Sequence, residues 1–109
     1  MELQTSTLQE LGHQRWSVVV KPYNDKHINE TTKIRTFEST VDSSELVWHQ
    51  DHNTRNVTVL EGHGWALQLD NQLPTQMLPG ITYTIPAKIF HRVLKGVDNL
   101  VVEITEDYS

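Results

Sequence analysis

Cysteine is absent from this 109-residue chain, which excludes disulfides, thiolate nucleophiles and Cys-ligated zinc or iron–sulfur sites in one step. Any metal must then rest on nitrogen and oxygen ligands. A cluster of Lys and Arg is missing as well. Nine basic against fourteen acidic residues leave a formal charge of −5, a balance that repels nucleic acid and anionic lipid, so neither is an expected partner. No apolar run approaches the length needed to span a bilayer, and Met1 to Leu11 has neither the basic start nor the apolar stretch of a secretory signal. A cytoplasmic protein with no membrane partner is expected. Helical periodicity is nearly absent too: only Leu3 to Leu11 carries a weak helical pattern.

What is present is a period of two. Trp16 to Val20, Lys33 to Glu38, Glu45 to Gln50, Asn56 to Glu61, Gly64 to Leu69, Ile81 to Ile85, Phe90 to Leu94 and Leu100 to Ile104 are short apolar or β-branched runs. Segments rich in Gly, Pro, Asn and Asp separate them. That pattern predicts an all-β chain of about eight strands, an antiparallel sandwich or barrel of the jelly-roll class. Glu61-Gly62-His63-Gly64 reads as a tight hairpin, Asp70 to Pro74 and Leu78 to Gly80 as further turns, and Asn24 to Thr32 as a mobile polar loop. Residues 1–109 read as one domain, small enough that burying an edge against a second copy would help its stability, so a homodimer is expected.

Alternation also says which side chains share a face. His49 and Asp51 point one way, Trp48 and Gln50 the other. Two spacings stand out: His49-Gln-Asp51, three residues, Arg55, six residues, Gly62; and Gly80, five residues, Pro86, four residues, His91. Together these resemble the two motifs of the cupin superfamily, and the phrasing of Ile85 to Val93 followed by Leu100 to Ile104 resembles the cupin domain of mannose-6-phosphate isomerase-type proteins. Short single-domain cupins to which no activity attaches are similar as well. The motif-matched core covers 45–106, and 1–44 supply leading strands and a loop. The chain departs from the motifs at four places: Asp51 stands for a histidine, Arg55 for a glutamate, Lys88 for a glycine and Lys95 for an asparagine.

The resemblance implies a single-domain β-barrel in which Arg55, on the inward face with Val57 and Val59, meets His49, Asp51 and His91 in one cavity. His49, Asp51 and His91 are then the expected metal ligands and the expected catalytic groups. Two imidazoles and a carboxylate suit Fe(II) and accept Mn, Ni or Zn. The order His-x-Asp with a distant His also resembles the 2-oxoglutarate oxygenases, but Val101 and its neighbours lack the basic residue that grips that co-substrate. Arg55 opposes a metal, since its fixed charge near a divalent ion costs several kcal/mol at an effective dielectric near ~20.

Three readings stay open. The first is a divalent metal, and with it a small sugar-type ligand. The second is a metal-free isomerase or epimerase in which Arg55 clamps a small anionic, sugar-type ligand and His49 or His91, oriented by Asp51, moves a proton. The third is a noncatalytic barrel filled by an internal Asp51–Arg55 pair. Trp48 and Trp65 read as core or interface aromatics, with ligand contact at the cavity mouth as their functional alternative. His52 and His63 read as surface loop residues.

Overall fold

The computed structural model describes residues 7–11, 15–19 and 21–108, of which 7–11 and 15–19 are described as backbone strands only. Among the described residues ten strands follow one another: β1 Thr7–Leu11, β2 Arg15–Val19, β3 Asn24–His27, β4 Thr32–Phe37, β5 Thr54–Glu61, β6 Ala66–Leu69, β7 Thr75–Gln76, β8 Thr82–Ile85, β9 His91–Leu94 and β10 Leu100–Asp107. β1 and β2 pair antiparallel as a two-stranded unit. A five-stranded sheet runs β3-β4-β10-β5-β8 and a three-stranded sheet runs β7-β6-β9. Every pairing is antiparallel.

The five-stranded sheet alternates as its sequence predicts. On β5, Arg55, Val57 and Val59 are buried; on β4, Lys33, Arg35 and Phe37; on β10, Leu100, Val102 and Ile104. The apolar ones among them, Phe37, Val57, Val59, Leu100, Val102 and Ile104, meet Trp65, Leu67 and Met77 from in and beside the smaller sheet in one core cluster. Val59, Trp65 and Leu100 are wholly inaccessible to solvent. Burying such side chains contributes roughly 1.5–3 kcal/mol each, which is what closes the two sheets on one another as a jelly roll.

Several expectations are corrected. Glu45 to Gln50 is not a strand: Asp42 accepts from Ser44 N at 2.9 Å and Glu45 reaches back to Asp42 N at 3.3 Å. That reciprocal cap turns 43–45 into a short 3-10 helix and leaves only His49 in a β-bridge. The stretch Asn24 to Thr32 opens with β3, an edge strand whose Asp25 turns inward to a buried guanidinium. Thr7–Leu11 is a strand rather than a helix, and the rest of Leu3 to Leu11 lies outside the described residues.

Glu61 to Gly64 is not a hairpin, because β5 and β6 belong to different sheets. This segment carries the chain between sheets, and His63 fastens it by two contacts to Asp98, N to Oδ1 at 2.7 Å and Nδ1 to Oδ2 at 2.6 Å. His63 is exposed, as its turn position implies, and so is His52.

Candidate metal site

Sequence position keeps residues 49 and 91 far apart, and one backbone bridge joins them. His49 N donates to His91 O at 3.0 Å and His91 N donates to His49 O at 2.8 Å. A pair that exchanges both bonds holds its side chains on one face, and the imidazole centroids lie 4.2 Å apart. Asp51 follows two residues after His49. Its carbonyl accepts from Lys88 N at 2.7 Å, inside the Pro86-to-Ile89 turn where Lys88 sits at φ +64°. The turn between β8 and β9 thus fixes Asp51, and a left-handed residue at position 88 makes it possible.

Each imidazole is pinned the same way. His49 Nδ1 lies 3.2 Å from Val47 O, and His91 Nδ1 lies 2.9 Å from Ile89 O. A carbonyl only accepts, so both Nδ1 atoms carry the proton and both Nε2 atoms present a lone pair. Asp51 Oδ2 lies 3.4 Å from His91 Nε2, and one ligand atom from each of His49, Asp51 and His91 falls within 4.8 Å of the others. Electron-pair donors of these types, gathered in one space, form a set that a divalent metal ion can join. Burial first, and then the nearness of His91, hold His49 below the ordinary imidazole range, which keeps it a neutral ligand. Burial pushes the Asp51 carboxyl up, but the His91 contact and the Arg55 charge outweigh it and leave it at about 2, ionised at neutral pH.

Arg55 is buried against this group. Its Nη1 lies 3.5 Å from Asp51 Oδ2, the ion pair expected from the sequence. A second partner was not foreseen. Glu106, opposite Arg55 in the β10–β5 register, accepts from Arg55 Nε at 2.9 Å and approaches Nη2 at 2.8 Å. Its signal was present in the alternation, because Glu106 continues the inward series Leu100, Val102, Ile104. Arg55 is thereby flanked by two carboxylates. The objection to a metal loses its force: the trio Arg55, Asp51 and Glu106 carries a net negative charge, which attracts a divalent cation.

His49, Arg55 and His91 all line a cavity of about 70 Å³ whose wall is mostly apolar, with Phe37, Val57, Leu67 and Met77 among its members. Exposed Glu45 and Val47 also border it, so it reaches the surface at the 3-10 helix. Arg35 lines it too, another residue the sequence reading missed. Trp48 and Trp65 do not line this cavity. Trp48 is 40% exposed beneath the Arg92 guanidinium, and Trp65 is wholly buried, its indole donating to Asp98 O at 2.7 Å.

No family model matches the sequence, and no curated protein shows significant similarity to it. Solved structures do share its fold. A cupin domain from Bordetella pertussis Tohama I superposes with a TM-score of 0.54 at 19% identity, over 80% of this chain and 96% of that one. A candidate mannose-6-phosphate isomerase from Ralstonia eutropha JMP134 gives 0.54 at 20% identity, over 78% and 82%. A structure from work on the DMSP lyases RdDddP and RnDddQII gives 0.62 at 18% identity, over 72% of this chain and 38% of that one. This chain therefore spans well under half of that last protein.

Proposed function

We propose that this chain, a barrel with the cupin fold, binds one divalent transition metal through His49, Asp51 and His91 and presents it to a small organic ligand in the cavity. One observation carries the reading: a ligand atom from each of His49, Asp51 and His91 lies within 4.8 Å of the others, while a backbone carbonyl faces each Nδ1 and so favours Nε2 as the ligating atom. The donor set suits Fe, Mn, Ni or Zn. When bound, such an ion supplies Lewis-acid polarisation of a ligand oxygen. The protein's part is to fix the ligand geometry and keep the space beyond it dry.

The metal-free reading, with Arg55 as anion clamp, has less support because Arg55 already holds Asp51 and Glu106. A sugar ligand, which the name of the Ralstonia protein invites, also has less support. The wall around the site offers aliphatic and aromatic carbon where sugar hydroxyls need partners.

The test is metal binding itself. Protein stripped by chelator and reloaded with Fe(II), Mn(II), Ni(II) or Zn(II) is expected to retain about one ion per chain by elemental analysis. Asp51→Ala is expected to weaken that binding by more than about 100-fold, beyond the usual loss of an outer-sphere partner. Wild-type protein that emerges free of all four metals ends this reading.

A further inference from the structure

The charged side chains that border the cavity outside the metal ligands are already engaged. Arg35 is held by Asp25 in a two-bond fork, Nε to Oδ1 at 2.8 Å and Nη2 to Oδ2 at 2.9 Å, and its guanidinium lies 3.5 Å from the Tyr23 ring centroid. Arg55 is flanked by Asp51 and Glu106, and Glu45 accepts from Asp42 N at 3.3 Å within its own cap. A polar group of a ligand placed deep in the cavity would have to draw a partner out of one of these pairs, and burying it unmatched is costly. The metal position is then the polar anchor on offer, and the remaining space suits hydrocarbon.

Strand register shows how that space is built. Val93 lies two residues after His91, Val57 two residues after Arg55, and Ile104 two residues before Glu106. Val57 stands opposite Ile104, and Leu67 opposite Val93. All four line the cavity. At a rise of about 3.4 Å per residue, this apolar belt sits about 7 Å of strand beyond the level of His91 and Arg55. Further along β5 and β10, Val59 and Leu100 are wholly inaccessible to solvent and close the far end. The volume is about 70 Å³, room for roughly two or three carbon atoms if each takes the share of a liquid water, about 30 Å³.

We propose that the ligand carries a single polar head, which meets the metal, on a short hydrocarbon body of roughly two or three carbons seated between Val57 and Ile104 on one side and Leu67 and Val93 on the other. This deepens the metal-site reading and rests on it. It assigns selection of the ligand to the apolar belt, with Arg35 and Arg55 left in their ion pairs.

Alkanehydroxamic acids are the probe, because their oxygen head joins a transition metal and the body can be varied one methylene at a time. Affinity for the Zn(II)-loaded protein is read by titration calorimetry, with zinc content checked by elemental analysis after each titration. Butanohydroxamic acid is expected to bind at least about tenfold more tightly than acetohydroxamic acid, since each of two further buried methylenes contributes about fourfold. Replacing its terminal methyl by a hydroxyl, in 3-hydroxypropanohydroxamic acid, keeps the atom count and is expected to lose that gain. Val57→Phe fills the belt and is expected to bring the butano and aceto forms to the same affinity while zinc content stays at the wild-type level. Equal affinity of these two forms for the wild type overturns the assignment, as does equal affinity of the butano and hydroxypropano forms, and both comparisons stand even if Val57→Phe fails to fold. A folded Val57→Phe protein that keeps the full chain-length gain overturns it as well. Wild-type protein that takes up no metal removes the metal-site reading and this inference together, whereas loaded protein indifferent to chain length removes this inference alone.

Discussion

A guanidinium keeps its proton at every accessible pH, so wherever a fold buries Arg55 it must also bury counter-charge. Two carboxylates supply it here, Asp51 at 3.5 Å and Glu106 at 2.8 Å. Removing one member of a buried ionic group strands the others, a loss of about 3–5 kcal/mol. Arg55→Leu is therefore expected to lower the urea midpoint of the metal-free protein strongly. Asp51 and Glu106 then face the site without their cation, so metal loading is expected to recover more stability in this variant than it adds to the wild type. Equal increments on loading, read from denaturation curves with and without Zn(II), would count against Arg55 as counter-charge. Glu106→Gln shifts the balance the other way. It removes one of the two carboxylates on Arg55, and metal affinity is expected to fall by about tenfold, within the range seen when a group supporting a metal ligand is lost.

The elements that place the site depend on close approaches between the sheets. A Cβ at Gly96 would lie 2.3 Å from His63 O and 2.4 Å from Trp65 Cδ1, so the segment after β9 runs against the crossover between β5 and β6 with no room for a methyl group. Gly96→Ala is expected to destabilise the chain by roughly 1–3 kcal/mol or more through overpacking. A thermal scan showing an unchanged midpoint would contradict this contact. Alternation made β4, β5 and β10 legible in the sequence, because each buries one face and wets the other. It failed at 43–50, where a capping box outcompetes extended backbone, and at Asn24–His27, where an edge strand is held by hydrogen bonds and an ion pair rather than by apolar burial. Lys88 stands where the motif has glycine and adopts φ +64°, so the backbone need behind that position persists although the residue differs.

At the scale of the whole molecule, the convergence of His49, Asp51, Arg55 and His91 followed from motif spacing, since no local pattern brings residue 91 to residue 49. The bridge between His49 and His91 supplies the physical link. Arg35 and Glu106 escaped notice because a charged residue at an inward position reads as an interruption of the pattern, and only the fold shows what it faces. Asp25, which accepts from Arg35 Nε at 2.8 Å and has the Lys33 and Lys21 ammonium groups at 3.6 and 3.8 Å, carries a signature in acid. Burial pushes Asp25 up, but the hydrogen bonds from Arg35 and the charges of Arg35, Lys33 and Lys21 outweigh it and hold the carboxyl below its ordinary 3.8. A carboxyl whose folded pKa is depressed contributes its full stabilisation above the unfolded value and loses it as pH falls through the folded one. Unfolding free energy is accordingly expected to be flat from pH 7 to about 5 with respect to this group and to decline below about 4. Asp25→Asn is expected to be less stable at pH 7, because Arg35 and two lysines lose their anion, and to decline less steeply between about pH 4 and pH 2.5. Urea midpoints across that range decide it. Parallel acid limbs for variant and wild type would mean that Asp25 is not what ties Arg35, Lys33 and Lys21 together.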